Sequence, residues 1–279
     1  MHELPTLEDD GLFMEPVKLW AERKYGLVRC YAQMFATAMK DKWDRRVYVD
    51  LFAGSGRARF EGTRRIVPAS PLLALGVSDP FDRYVFCEES IEKLDALRRR
   101  VDDLGMASLA RFVDGDVNTR TSEILSQIPT CGTLTLCFAD PYAMSDLRFR
   151  TIEHLSSRYV DFLILIPTGY DATRWWKQRS RRECTIVEEF LGLRTWREEW
   201  KAARAGGASA AMFLMKQYEA QMRRLGYTYG GVDTSVEIRI PDKNVRLYRL
   251  GFFSRNKLGG KFWNEARRYA AEQTELDLA

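Results

Sequence analysis

Short, strongly apolar segments alternate with amphipathic segments between residues 45 and 167 of this sequence. The apolar segments are RRVYVDLF, YVFCEE, ARFVDGD, LTLCFADP and VDFLILIP, and the segments between them have the spacing of helices. Apolar runs that do not alternate with polar residues are typical of parallel strands covered by helices on both faces. The pattern therefore predicts an α/β fold with five parallel strands.

The flanking parts of the chain depart from this rhythm. The spacing predicts a helix from about Val17 to Met39, and mainly helical structure with a break at Gly206-Gly207 between residues 168 and 225. VEIRI and VRLYRLGFF, joined by PDKN, predict an antiparallel hairpin, followed by a helix from about Gly260.

Five parallel strands followed by a hairpin are the order expected of a Rossmann-like class I methyltransferase sheet, here with helical insertions. A generic doubly wound fold is the alternative. We expect a single domain of this kind over residues 1–279. Residues 1–45 are then a helical extension at the N-terminus, and residues 168–225 a helical insertion that faces the substrate.

Composition excludes several other classes. The longest apolar stretches, such as Leu134–Ala139, are too short to span a bilayer, and the start MHELPTLEDD is acidic rather than signal-like. We therefore expect a cytoplasmic protein without a membrane partner. The five cysteines form no CxxC pair and there are only two histidines, so neither a disulfide scaffold nor a metal site is expected.

A glycine turn follows the first predicted strand, in YVDLFAGSGRARF. Asp50 lies near the end of that strand, and Gly54 and Gly56 allow a ligand to approach the backbone at the start of an expected helix. In a dinucleotide-binding GxGxxG motif a third glycine follows, but Arg59 occupies its position here.

Acidic residues follow the next three strands at their carboxyl ends. Glu88 is placed to accept both hydroxyls of a ribose, Asp116 in GDVN to accept an adenine amino group, and Asp140 ends the fourth strand. Because the carboxyl ends of parallel strands meet at one edge, these residues and the glycine turn predict a nucleotide-like cofactor site.

LFAGSG, SPLLAL, GDVN, ADPY, VDFLILIP and LYRLGFFSRNKLGGKFW together resemble the three-Cys-motif partner protein (TcmP) family, from about Trp20 to Trp263. That family is similar to class I S-adenosylmethionine-dependent methyltransferases. The resemblance implies S-adenosylmethionine as cofactor and a radical-SAM-like three-Cys-motif protein as partner. It also implies a set of cofactor-binding residues, with Asp50 and the glycines at the methionine end: Asp50, Phe52, Ala53, Gly54, Gly56, Glu88, Asp116, Val117 and Asp140.

Asp140-Pro141-Tyr142 is similar to the D/N-P-P-Y/F motif of methyltransferases that act on exocyclic amino groups of nucleic-acid bases. In that motif the acid and a proline carbonyl accept hydrogen bonds from the amine, and the aromatic residue stacks on the base. Here Tyr142 occupies the place of the second proline and Ala143 that of the aromatic residue. An alternative interpretation is that Asp140 only borders the cofactor and Tyr142 packs.

A dense basic and aromatic run follows the fifth strand: Arg174, Trp175, Trp176, Lys177, Arg179, Arg181 and Arg182. Arginines for phosphates and tryptophans for stacking predict a DNA or RNA groove. The competing interpretation is a solvated helix whose two tryptophans anchor it to the core, which is the more common case for such runs. The arginines at 98–100 are expected on a solvated helix face.

Three functions are consistent with these features. The first is a methyltransferase acting on an exocyclic base amine, with Asp140 orienting the amine. The second is a nicotinamide-dependent oxidoreductase, against which the missing third glycine and the late hairpin argue. The third is a non-catalytic scaffold for the three-Cys-motif partner.

Overall fold

The computed structural model describes residues 4–169, 172, 174–240 and 245–276. Its strands are β1 (Glu15–Val17), β2 (Arg45–Asp50), β3 (Arg57–Phe60), β4 (Ile66–Pro68), β5 (Arg83–Glu88), β6 (Ala110–Asp114), β7 (Thr133–Ala139), β8 (Val160–Ile166), β9 (Tyr229–Gly230), β10 (Val236–Ile240) and β11 (Val245–Ser254). Its α-helices are α1 (Ala21–Met39), α2 (Ser70–Leu75), α3 (Ile91–Asp103), α4 (Val117–Ser126), α5 (Phe149–Leu155), α6 (Trp176–Arg179), α7 (Ile186–Leu191), α8 (Trp196–Ala205), α9 (Ala210–Arg224) and α10 (Lys257–Leu276).

The main sheet has the strand order β10-β11-β8-β7-β2-β5-β6, with the short β9 also paired to β11. Strands β6, β5, β2, β7 and β8 are parallel, whereas β11 runs antiparallel to β8 and β10 antiparallel to β11. This arrangement confirms the predicted fold class, a Rossmann-like sheet of the class I methyltransferase type. The turn expected at PDKN, residues 241–244, lies outside the described residues.

Helices cover both faces of this sheet. Along β2, Val47 and Val49 pack in a core shared with α4, α5 and α9, and Tyr48 packs in a second core with α1, α3 and α10. All seven residues of β8 are buried. Two-sided burial explains why these strands are continuously apolar in sequence. Within the described residues, no helix is both long enough and apolar enough to cross a membrane.

A second, three-stranded sheet stands where a helix was expected to follow the glycine turn, so that expectation is wrong. Strand β3 pairs with β4 in an antiparallel hairpin and with β1 in parallel, and helix α2 begins only at Ser70. In RARF, half-buried and buried residues alternate, which is the period of a strand. Residue Val17 belongs to β1, and α1 begins four residues later at Ala21.

The remaining helices agree with the sequence pattern except at one arginine. The chain between β8 and β9 contains α6 to α9, with Gly206 ending α8, and α10 begins at Lys257, before the expected Gly260. Arg98 and Arg99 lie on the outer part of α3, but Arg100 is 2% exposed and contacts the N-terminal segment. The expectation of a solvated face is therefore wrong for Arg100.

Candidate functional site

The carboxyl ends of the parallel strands are tied to one another by backbone hydrogen bonds. The Leu51 amide donates to the Phe138 carbonyl (3.0 Å), the Ala53 amide to Cys87 (2.9 Å) and the Gly115 amide to Glu88 (3.0 Å). These bonds bring the ends of β2, β5, β6 and β7 together at one edge. We call this edge, with Asp50, the turn at residues 52–56, Glu88, Asp116 and Asp140, the carboxyl edge.

The glycine turn depends on backbone conformations that other residues rarely adopt. Gly54 has φ +61° and Gly56 has φ +85°, both in the left-handed region. A Cβ atom on Gly56 would lie 2.8 Å from Cδ1 of Leu97. Ala53 is buried and the half-buried Phe52 packs against the core, so both hold the turn on the end of β2.

Three carboxylates accept hydrogen bonds from amides of this turn. The Phe52 amide donates to Oδ1 of Asp50 (3.3 Å) and the Gly54 amide to Oε2 of Glu88 (2.8 Å). The Ser55 amide donates to Oε2 of Glu15 (3.4 Å). Turn amides of this kind hold phosphates in dinucleotide-binding proteins, whereas here each of the three faces a negative group.

Sequence reasoning missed Glu15, because its proximity to the turn depends on β1 folding back to pair with β3. Its carboxylate Oε1 also lies 2.8 Å from the Lys93 ammonium. Burial opposes the charge of Lys93, but hydrogen bonding to Glu15 and the nearby Glu88 carboxylate leave its pKa above the ordinary value. The carboxylates of Glu15 and Glu88 therefore both act on the Lys93 ammonium.

Asp50 is completely buried at the end of β2. Burial raises its pKa to about 7, although hydrogen bonds from the Ser70 hydroxyl, the Phe52 amide and the Tyr48 hydroxyl favour the ionised form. The Tyr48 hydroxyl lies 3.3 Å from Oδ2. A neighbouring positive charge would shift the equilibrium of this group toward the carboxylate.

Asp140 forms an ion pair with Lys24 of α1. Burial opposes the charge of Lys24, yet the Asp140 carboxylate and the electrostatic interaction with Tyr25 hold the pKa of Lys24 above its ordinary value. Sequence analysis missed Lys24, although a lysine between Ala21 and Leu27 on the buried side of α1 was a readable signal.

Tyr25 shows that several of these carboxylates converge. Burial is the main cause that raises the pKa of Tyr25 to about 12. Lys24 acts in the opposite direction, and the charges of Asp140, Glu15 and Asp50 add to the increase. The hydroxyl of Tyr25 is therefore within electrostatic reach of carboxylates from three separate segments.

Asp116 lies one strand further out, at the start of α4. Its Oδ1 accepts from the amide and the side-chain nitrogen of Asn118, both at 2.9 Å. The adjacent Val117 is 3% exposed and belongs to the core beneath α4. Asp116 is half-buried.

The Asp140-Pro141-Tyr142 segment leaves β7 at the same edge. Pro141 is buried, whereas the Tyr142 side chain is 86% exposed. Ala143, in the position of the motif's aromatic residue, is half-buried and its amide donates to Asp146 (2.8 Å). Tyr142 does not pack against the protein, and its ring is accessible to a flat partner.

The basic-aromatic run divides into two groups. Trp176 is 9% exposed and contacts the rings of Trp196, Trp200 and Phe213, so it belongs to the core and its ring is not accessible for stacking. Trp175 is 45% exposed. Of the basic members, Arg179 is half-buried and the others are exposed: Arg174, Lys177, Arg181 and Arg182.

An apolar cleft of about 620 Å³, including its open mouth, lies at the opposite edge of the sheet, where β7 and β8 begin. Its lining includes Phe35, Trp43, Phe262 and Asp161. We call this edge of the sheet, where β7 and β8 begin, the amino edge. In the described ranges, no group of three or more histidine, cysteine or acidic side chains is arranged to hold a metal ion.

Comparison with known proteins identifies similar folds only. The sequence matches no known protein family and no curated protein. The O-methyltransferase TomG from Streptomyces achromogenes, in complex with SAM, is 10% identical with a TM-score of 0.45, over 90% of this chain and 92% of that chain. An O-methyltransferase from Bacillus cereus in complex with SAH is 8% identical (TM-score 0.48; 88% and 84% covered).

The METTL16 MTase domain is 11% identical with a TM-score of 0.48, over 90% of this chain and 76% of that chain. At these identities and TM-scores, the similarity concerns the general course of the chain. It carries no argument about cofactor or substrate, which must come from the site itself.

Proposed function

We propose that this protein is an S-adenosylmethionine-dependent methyltransferase. The observation that carries the proposal is the pairing of the Phe52, Gly54 and Ser55 amides with three carboxylates. A pyrophosphate placed on this turn would meet negative charge where it needs donors, which argues against a nicotinamide dinucleotide. A ligand with a cationic sulfonium and an ammonium group is attracted by the same carboxylates.

The cofactor-binding residues follow from their places along the carboxyl edge. In this proposal Asp50, Gly54 and Gly56, with the backbone of Phe52 and Ala53, form the methionine end of the site. Glu88, fixed by the amides of Gly54 and Ser90 (2.8 and 2.9 Å), accepts the ribose hydroxyls. Asp116 and Val117 border the adenine. When bound, the cofactor supplies an electrophilic methyl group.

The acceptor in this proposal is an exocyclic amino group of a nucleic-acid base. Asp140 and the Pro141 carbonyl accept hydrogen bonds from the amine, which leaves the nitrogen lone pair directed at the methyl group. The Lys24 ammonium pairs with the Asp140 carboxylate and holds it in place. The exposed Tyr142 ring is available to stack on the base, which supports a role in base binding despite the altered motif.

The insertion at residues 168–225 provides the substrate-facing surface in this proposal. Trp175 offers an exposed ring, and Lys177, Arg181 and Arg182 offer exposed positive charge for phosphates. Trp176 is left out of this surface, because its ring anchors α6 to the core.

The motifs shared with the TcmP family extend the proposal to a protein partner. LFAGSG and GDVN form parts of the carboxyl edge described above, and LYRLGFFSRNKLGGKFW covers most of β11 and the start of α10. We infer a three-Cys-motif protein as that partner. Co-purification of the two proteins, with a complex of defined stoichiometry by light scattering, is the expected result.

Cofactor binding is tested with Glu88→Gln and its neighbour Glu89→Gln, whose side chain is exposed. The wild-type protein should bind S-adenosylhomocysteine in calorimetry and not bind NAD. Glu88→Gln should weaken binding about tenfold or more, because it removes a charge-assisted hydrogen bond, while Glu89→Gln should not. Binding of NAD in place of S-adenosylhomocysteine would overturn the proposal.

The acceptor is identified by incubating the protein with S-adenosylmethionine labelled on the methyl group and with DNA, RNA or protein, with and without the partner. Label in the nucleic-acid fraction is expected, on a base amine by mass spectrometry of nucleosides. Asp140→Asn should lose turnover while S-adenosylhomocysteine affinity stays within about threefold. Label confined to protein would contradict the nucleic-acid assignment.

A further inference from the structure

An N-terminal strap, residues 9–17, is fixed across the glycine turn. The guanidinium of Arg100 donates to both carboxylate oxygens of Asp10 (2.8 Å each), to the Phe13 carbonyl (2.9 Å) and to the Ser55 carbonyl (2.6 Å). These contacts hold the pKa of Asp10 at about 2, chiefly through the hydrogen bonds from Arg100. Strand β1, which contains Glu15, pairs with β3 directly after the turn.

The strap places the Glu15 carboxylate directly on the turn. Oε2 accepts from the Ser55 amide, and a Cβ atom on Gly54 would lie only 2.6 Å from it. A side chain at position 54 would therefore displace this carboxylate. The side chain of Glu15 is 26% exposed, and Lys93 contacts it from one side. A carboxylate accepts several hydrogen bonds, so these contacts leave capacity for another donor.

We propose that Glu15 binds the α-ammonium group of the amino-acid end of the cofactor. This inference rests on the proposed methyltransferase function. If Glu88 accepts the ribose hydroxyls, the ligand passes Gly54, whose amide donates to Glu88. The Glu15 carboxylate lies on the side of Gly54 where another residue would carry its Cβ atom. Beyond the ribose and the sulfonium, the next cationic group of the ligand is its ammonium.

Electrostatics at the carboxyl edge favour Glu15 for this role over the other acids. In the proposed function Asp140, paired with Lys24, accepts from the acceptor amine, and Glu88, held by two backbone amides, accepts the ribose hydroxyls, so neither is left for the ammonium. Asp50 is completely buried behind the turn. Glu15 combines partial exposure, negative charge and a fixed position on the surface of the turn. It discriminates a zwitterionic amino-acid tail from a simple alkyl thioether.

The test compares two ligands that differ only at this end. S-adenosylhomocysteine carries the amino-acid tail, and 5′-deoxy-5′-methylthioadenosine has the same nucleoside thioether without it. Glu15→Gln should weaken calorimetric affinity for the first about tenfold or more and leave the second within about twofold. Glu8→Gln, an exposed position at the same end of the chain, is the matched control and should change neither.

A ligand-side measurement keeps the test independent of the folding of the variant. The wild-type protein should bind 5′-S-(3-carboxypropyl)-5′-thioadenosine, which lacks only the α-amino group, about tenfold more weakly than S-adenosylhomocysteine. Glu15→Gln should bind the two equally. Equal losses for every ligand, or none, would overturn the role of Glu15 while leaving the proposed function intact. If the wild-type protein binds none of these ligands, the proposed function itself fails.

Discussion

The two edges of the parallel sheet each contain a buried aspartate in nearly the same local setting. Asp50 ends β2 at the carboxyl edge, and Asp161 lies near the start of β8 at the amino edge. Each accepts a hydrogen bond from a tyrosine hydroxyl and one from a serine hydroxyl. Burial raises the pKa of Asp50 to about 7 and that of Asp161 to about 6.

The surroundings of the two aspartates differ. Asp50 adjoins the glycine turn, where its Oδ1 accepts from the Phe52 amide, and the charge of Asp140 acts on it. Asp161 lies against the first turn of α10, where a Cβ on Gly259 would approach its Oδ2 to 2.9 Å, and its other neighbours line an apolar cleft. A buried aspartate with a raised pKa thus does not by itself identify a ligand site. The convergence of several strand ends distinguishes the carboxyl edge.

The largest expected effect is on the pH dependence of stability. An acid whose folded-state pKa lies above its ordinary value of 3.8 binds more protons when folded, so stability is lost as pH rises toward the folded-state pKa. As pH rises from 4 to 8, the wild type loses free energy of unfolding that the variants keep. The difference should reach on the order of 4 kcal/mol in favour of Asp50→Asn and on the order of 3 kcal/mol in favour of Asp161→Asn.

Urea unfolding of the three proteins at several pH values measures these differences. Saturating S-adenosylmethionine should reduce the stability advantage of Asp50→Asn over the wild type, because a nearby cation favours the Asp50 carboxylate. The advantage of Asp161→Asn should stay unchanged. Parallel stability curves for all three would show that neither aspartate is perturbed. An equal response to the cofactor would remove the distinction between the edges.

Two glycine-to-alanine substitutions separate folding from binding. Gly56→Ala forces an L-residue into φ +85° and places Cβ 2.8 Å from Leu97, and Gly259→Ala places Cβ 2.7 Å from the Ser254 hydroxyl oxygen. Each should lower the free energy of unfolding by about 2–3 kcal/mol. Only Gly56→Ala should also weaken S-adenosylhomocysteine binding. Comparable loss of affinity in Gly259→Ala would contradict the assignment of the site to one edge.

The strands and their ends could be predicted from sequence because both depend on local information. A buried parallel strand is apolar along its length, as in β8, and acids such as Glu88 and Asp140 follow directly in the chain. The parallel order then brings those ends together. The position of these acids at the strand ends could therefore be predicted from the sequence, whereas their role in cofactor binding stays a prediction.

Glu15 and Arg100 could not be assigned in the same way. Each acts across a long sequence separation, Glu15 on the Ser55 amide and Arg100 on Asp10, and a charged residue on a short segment or helix resembles a solvated one. For Lys24, the neighbouring apolar residues of α1 indicated burial, but its partner Asp140 is distant in the sequence. Trp176 shows the converse, because a tryptophan within a basic run is equally compatible with a core and with a surface. Tertiary packing determines whether such a side chain is buried or exposed, and the local sequence pattern does not carry that information.

Removing the buried Lys24 ammonium should have an intermediate effect on the free energy of unfolding. The Lys24 side chain is 7% exposed and that of Asp140 23%, so Lys24→Met leaves a partly buried carboxylate without its partner. We expect a loss of about 2 kcal/mol in the free energy of unfolding. Lys40→Met, which breaks an exposed pair with Asp79, is the control and should change stability little. Equal effects in both variants would show that the Lys24 pair is not buried in solution.

The smallest expected effect concerns the salt dependence of nucleic-acid binding. Arg181 and Arg182 are exposed and follow the carboxyl end of β8 through α6, whereas Lys257 and Lys261, also exposed, begin α10 at the amino edge. If phosphates bind near the carboxyl edge, replacing both arginines by glutamine should reduce the slope of log K against log salt by about 2, since each phosphate contact contributes about one counterion.

Replacing both lysines by glutamine removes the same charge and should leave the slope unchanged. Fluorescence anisotropy of a labelled single strand between low and moderate salt measures both slopes. A reduced slope for the lysine variant alone would place nucleic acid at the amino edge, where the aromatic walls of the apolar cleft would then have to provide the stacking surface.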